Sequence, residues 1–226
     1  GLACGAATFF GLKESRSAET AAQAASESPL RAYMALLRQP RLIGYALAGG
    51  LNGATLFTYI SASPDLLIGT YGISPQHFGW VFGLNAFGVI GASQVNRYLL
   101  RGSTPDEVLS RASVIAVIAS IALTIAAVTG IGERWTVLPL LFVLLASYGF
   151  MQGNTMAGAL NVDFKRSGSI SALMGGASFG VGALAASLAG FFHNGTPAPM
   201  AIVMMLALMG SALSLRMLAL PKAAHA

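Results

Sequence analysis

Charge is what this sequence has least of. Only 9% of its residues are Asp, Glu, Lys or Arg, against about 25% in a soluble domain. An ordinary water-facing surface cannot be built from that supply. Cysteine occurs once, at Cys4, which excludes an internal disulfide and any cluster of thiolate metal ligands. No phosphate-binding G-x-x-x-x-G-K loop, no H-E-x-x-H and no G-x-S-x-G occurs. The histidines are His77, His193 and His225. None pairs with another at metal-ligand spacing, and none lies deep enough in a hydrophobic run to act as the base of an intramembrane hydrolase. The ten-residue alternation of a membrane barrel strand is also missing.

What is present is hydrophobic material, 55% of the chain, spread along its whole length. That spread is unlike a removable signal peptide. A membrane-spanning helix needs about 20 apolar residues, and six candidate spans lie near 42–63, 77–99, 109–130, 136–160, 169–192 and 198–219. Between them the positive charges alternate. All thirteen Lys and Arg residues except Arg134 fall in every second gap. Residues 64–76 and 193–197 have none, whereas Arg97, Arg101 and Arg111 flank one gap and Lys165 and Arg166 occupy another. Loops that stay in the cytoplasm collect Lys and Arg. The pattern therefore places both ends of a six-span bundle on the cytoplasmic side. The net charge of +5 is accounted for by this topology, so no nucleic-acid partner is implied.

Residues 1–12 are apolar but too short to span, and read as the end of a truncated transmembrane helix. Residues 13–41 read as a cytoplasmic linker rich in Ala, Ser and Glu, with a short amphipathic helix over Leu30 to Leu37. Residues 42–219 form the bundle, and 220–226 a cytoplasmic tail. In lipid every backbone group must be satisfied internally, so the spans are helices. G-x-x-x-G pairs occur at Gly49/Gly53, Gly79/Gly83, Gly149/Gly153 and Gly176/Gly180. They serve close helix packing, or hinges.

No Asp, Glu, Lys or Arg lies deep in any span, so this stretch offers no intramembrane carboxylate for proton coupling. Asp65, after Pro64, belongs to the outer mouth, as a solvated loop acid or a gating residue. Uncharged polar residues do enter the spans. Tyr45, Asn52, Thr55 and Tyr59 repeat on one helical face. Asn85 and Asn96 share a face of the second span, and Tyr148, Gln152 and Thr155 one of the fourth, beside Met151 and Met156. Ser171, Gly175, Ser178 and Gly182 make a weakly polar stripe on the fifth. A buried amide needs partners. These residues therefore either bond helix to helix or line a cavity for an amphipathic substrate, to which Met and aromatic rings adapt.

Several strings then carry a resemblance: GYALAGGL (Gly44 to Leu51), LFTYISASP (Leu56 to Pro64), FGWVFGLNAFGVIGASQVN (Phe78 to Asn96) and GSISALMG (Gly168 to Gly175). Asn154 precedes the last, and LKES (Leu12 to Ser15) stands upstream. From about Leu30 to Leu220 the sequence resembles the second half of the drug:proton antiporters of the bicyclomycin and chloramphenicol resistance type, in the major facilitator superfamily. The resemblance implies an all-α membrane protein, a six-transmembrane-helix bundle forming the C-terminal half of a twelve-helix major facilitator fold. It implies efflux of small amphipathic compounds against proton entry across a bacterial inner membrane, with an N-terminal six-helix half as partner. No cofactor is implied beyond the proton as coupling ion. Helices seven, eight, ten and eleven of that fold line the central cavity, and these would be the spans with the polar stripes. Asn52, Thr55, Tyr59, Asn85, Tyr148, Gln152 and Ser178 are the expected cavity residues. Asn52, Asp65 and Ser178 depart from the family's usual residues, and the loop after Asn96 lacks a clean copy of its Gly/Asp/Arg-rich motif. A metabolite transporter on the same fold, and a membrane scaffold without a transport cycle, are the alternatives.

Overall fold

The computed structural model describes residues 2–11 and 28–220, and among these there are helices and no strands. The LKES string, most of the expected linker, Lys222 and His225 lie outside the described residues.

Helix α1 (Leu2–Gly11) and helix α2 (Pro29–Leu37) are short. The described side chains of α1 are exposed, Phe9 and Phe10 included. α2 buries Ala32 and Leu36 and leaves Leu30, Met34 and Leu37 exposed as a separate apolar stripe.

Six long helices follow: α3 (Pro40–Pro64), α4 (Pro75–Leu99), α5 (Pro105–Thr129), α6 (Glu133–Leu160), α7 (Ser167–Phe191) and α8 (Ala198–Ser214, extended by a wider turn over Leu215–Ala219). α3, α4 and α5 each begin with proline, where a missing N–H is harmless and the fixed φ suits the first turn. α5 also carries a capping box. The Glu107 N–H donates to Thr104 Oγ1 at 3.3 Å, and the Thr104 N–H donates to Glu107 Oε2 at 3.4 Å. α5 ends at Gly130 with φ 71°, a left-handed cap that suits glycine.

The spans expected from hydropathy fall on these helices, with one difference. The sequence suggested a loop from Pro64 onward, but the helix continues as a wide π-type turn over Asp65–Thr70. Pro64 keeps helical angles, φ −62° and ψ −46°, yet cannot donate to the Ile60 carbonyl one turn back. Ser63 Oγ donates to that carbonyl instead, at 3.2 Å. The side chain supplies the bond the proline cannot, and the helix passes through.

α3 is the centre of the bundle. It packs most extensively against α7, then against α8 and α6. α6 in turn packs against α5 and α4, and α5 against α8. The core buries Leu109, Leu123, Leu141, Leu144, Leu145, Met151 and Met204. α4 and α7 are the least covered; Trp80, Phe87 and Ile90 of α4 and Phe179, Leu184 and Phe191 of α7 stand exposed. Five of the helices are long and apolar enough to cross a membrane. α3 is as long but more polar, because its side chains meet other helices rather than lipid. Long apolar helices in this number make a multi-pass membrane protein.

Candidate functional site

Glycine decides how near the central helices come. A β-carbon added at Gly50 would sit 3.1 Å from the Ala177 carbonyl oxygen of α7. One added at Gly53 would run into Ser178 Oγ, and would be 2.9 Å from the Ser178 carbonyl. On the other side Ser211 of α8 donates its hydroxyl to the Ala48 carbonyl at 3.0 Å. α3 is thus clamped between α7 and α8, with its polar face turned inward.

That face carries Asn52, Thr55 and Tyr59, all buried. Asn52 Nδ2 donates to Gln152 Oε1 of α6 over a long 3.5 Å. Tyr59 accepts from Asn85 Nδ2 of α4 at 2.8 Å, and its ring stacks on Phe82, 5.5 Å between centroids. Phe82 stacks in turn on Phe78. Three of the seven expected cavity residues, Asn52, Tyr59 and Asn85, are therefore joined to partners by the fold, with Gln152 the fourth. Ser178 is buried against Gly53. Tyr148 is half-buried and makes no hydrogen bond with the described residues. Thr55 Oγ1 has no hydrogen-bond partner among the described residues.

Three buried polar atoms lack a hydrogen-bond partner among the described residues: Asn52 Oδ1, Thr55 Oγ1 and Thr58 Oγ1. All three are on α3, within two turns. An unsatisfied buried polar group is costly, so three on one helix call for an explanation. Thr58 was not singled out from the sequence. It lies off the face of Asn52 and Tyr59, so periodicity alone hides it.

A second amide pair lies nearer the positively charged end. Asn154 of α6 donates to Asn96 Oδ1 of α4 at 2.9 Å, and Asn96 donates back to Asn154 Oδ1 at 3.3 Å. Asn154 also donates to the Phe150 carbonyl at 2.8 Å. These amides satisfy each other and serve as an interhelical clasp. Tyr45, the first member of the α3 stripe, is likewise committed elsewhere. Its hydroxyl donates to Asp106 Oδ1 at 2.5 Å, and Arg41 pairs with Asp106 Oδ2 at 3.1 Å. The three residues tie the start of α3 to the start of α5.

Asp65 stands exposed at the opposite end, beside His193 and Thr196. Thr70 Oγ1 bridges there to the Asp65 and Gly195 carbonyls at 3.3 and 3.4 Å. His77 lies in the first turn of α4, its Nδ1 2.8 Å from Ser74 Oγ. Among the described residues no group of three His, Cys, Asp or Glu converges as a metal site.

No protein-family model matches the chain. Two curated proteins do align with it along most of its length. A bicyclomycin resistance protein homolog of Haemophilus influenzae is 26% identical over 204 residues, 90% of this chain and 51% of that protein. An uncharacterized MFS-type transporter of Bacillus subtilis, YdgK, is 28% identical over 202 residues, 88% of this chain and 50% of that protein.

The chain is similar to major facilitator transporters. It spans about half the length of the curated relatives it matches. The major facilitator likeness and the bundle agree on the fold class: helices throughout, long, apolar and packed around α3.

Proposed function

We propose that this chain is the C-terminal half of a secondary active transporter of the drug-efflux type. Two six-helix bundles would rock about a central site and bind the substrate in turn from each side. The cargo would be a small amphipathic compound, expelled across the bacterial inner membrane against proton entry, with both ends of this bundle in the cytoplasm. The names of the two relatives support a transporter, and one supports a drug as cargo. The alternating Lys and Arg support the orientation.

The observation that carries the reading is the orphaned group on α3, Asn52 Oδ1 with Thr55 and Thr58. A scaffold would need only packing there, and apolar residues pack without this penalty. A transport site needs polar atoms held ready but not consumed. Uncharged amides beside Tyr148, Met156 and Phe82 suit a cargo with a polar end and an apolar body. The absence of a fixed charge deep in the described spans leaves proton coupling to a carboxylate of the partner half.

The test uses everted vesicles from cells expressing the gene. A lipophilic dye should accumulate inside on energisation, and an uncoupler should abolish this. Asn52→Leu and Gln152→Leu should each lower dye accumulation at unchanged protein level. Accumulation that ignores the proton gradient, or that survives alanine at Asn52, Thr55, Tyr59, Asn85, Tyr148, Gln152 and Ser178 alike, rejects the reading.

A further inference from the structure

α6 has a second face that the transport reading does not use. Tyr148, Gln152 and Thr155 turn toward α3. At 3.6 residues per turn, Phe142, Val143, Ala146, Ser147 and Phe150 centre on the opposite side. With Val108, Ala112 and Ile115 of α5 and Leu99 of α4 they line a groove of about 350 Å³. That volume is in the range of small-molecule pockets, about 300–1,000 Å³.

Its construction follows from the packing. α4 and α5 both lean on α6 and scarcely touch each other, so a crevice is left between them. From Phe142 to Phe150 it runs about 12 Å along α6, at 1.5 Å per residue. Its walls are nearly all apolar. Ser147 is there, but its hydroxyl is already used on the Val143 carbonyl at 2.9 Å.

One charge stands in the lining, Arg111, at the positively charged end of the bundle. It makes no ion pair with the described residues. Glu107, one turn earlier on α5, is held in the helix cap with Thr104. Arg101, nearby in sequence, lies over the Tyr98 ring at 4.9 Å. An apolar slot opening sideways in a bilayer, with a guanidinium at headgroup level that has no ion-pair partner among the described residues, matches one molecule in its surroundings. We propose that the groove holds an acyl chain of an anionic phospholipid, with the phosphate against Arg111. A guanidinium presents a planar fork to phosphate oxygens, and the slot replaces neighbouring lipid tails with fixed walls.

The test reads bound lipid and not transport, so it stands apart from the transport reading. The protein, purified in mild detergent, is offered phosphatidylglycerol or phosphatidylcholine with the same acyl chains, and retained lipid is measured by native mass spectrometry. Phosphatidylglycerol should be retained in preference. Arg111→Gln should weaken its retention roughly fivefold, as loss of one basic residue at a membrane surface implies, and Arg111→Lys should keep most of it. Ala146→Phe, which fills the slot, should release both lipids. Arg111 is exposed, so Arg111→Gln keeps the fold, and an unchanged melting temperature verifies this. Equal retention of both lipids by the native protein and by Arg111→Gln overturns the proposal. Displacement by inorganic phosphate overturns it too, since a free anion would then suffice.

Discussion

Tyr59 and Asn85 hold α4 to α3 through one hydrogen bond between buried groups. Tyr59→Phe keeps the ring stacked on Phe82 but removes the acceptor that the Asn85 amide uses among the described residues. Interhelical bonds of this kind contribute about 0.6–2 kcal/mol in membranes. A thermal unfolding curve in detergent should therefore shift down by a few degrees, and Asn85→Ala added to Tyr59→Phe should cost little more. Tyr71, outside the spans, behaves differently. Burial first, and the negative charge of Glu133 second, push its phenol up to about 12. The folded state then holds this proton more tightly than the unfolded chain does. Its contribution is complete below the ordinary tyrosine value near 10 and is lost as the pH rises through about 12. Glu133→Gln should lower the Tyr71 midpoint in an ultraviolet pH titration but leave most of the shift, because burial is the larger cause. Much at this scale was legible. Tyr45, Asn52, Thr55 and Tyr59 do share an inward face. Which of them would be satisfied was not legible, because that depends on partners about a hundred residues away, such as Gln152 for Asn52. The engagement of Tyr45 by Asp106 was hidden for the same reason.

Between elements, the seam of α3 and α7 is set by backbone contact at Gly50 and Gly53. Gly53→Ala forces its methyl into Ser178, whose carbonyl belongs to a packed helix and cannot swing away. Overpacking of this sort costs about 1–3 kcal/mol, and the melting temperature should fall accordingly. Gly180→Ala is the control. Nothing lies within 4 Å of a β-carbon there, so stability should hold. Both glycines belong to G-x-x-x-G pairs, and the sequence could not say which pair is internal. The long helices were more readily read than their limits, since the apolar runs begin near 77, 109 and 136 and the helices at Pro75, Pro105 and Glu133. The end of α3 differs most, where Ser63 repairs the helix across Pro64. A proline in a sequence shows the missing donor, not the hydroxyl that compensates for it. The groove beside Arg111 was also out of reach, because it is a gap between α4 and α5 and no pattern within either helix reports it.

For the whole molecule, α4 and α7 leave broad apolar faces open while α3, α5, α6 and α8 close on one another. Under the transport reading the partner half meets the small-residue face of α7, where Gly176 and Gly180 are exposed. Gly180→Leu should then leave the unfolding temperature of this chain nearly unchanged and yet stop dye movement in vesicles. A variant that transports normally would show that this face meets only lipid. The alternation of positive charge speaks to the side on which each gap lies. It could not specify that the first span would end at the centre.

That central place governs how the protein is made. α3 is made before the other described long helices, yet its main neighbours, α7 and α8, begin about 100 and about 130 residues after its end. At roughly 5–20 residues per second, it waits on the order of ten seconds. Among the described long helices it is the one whose own hydropathy falls short of a spanning segment, so its place in the bilayer leans most on neighbours that meet its polar face. Until they arrive, Asn52, Thr55, Thr58 and Tyr59 face lipid or the insertion machinery. The residues proposed to receive cargo are therefore also the ones whose polar groups wait longest for their partners within this bundle.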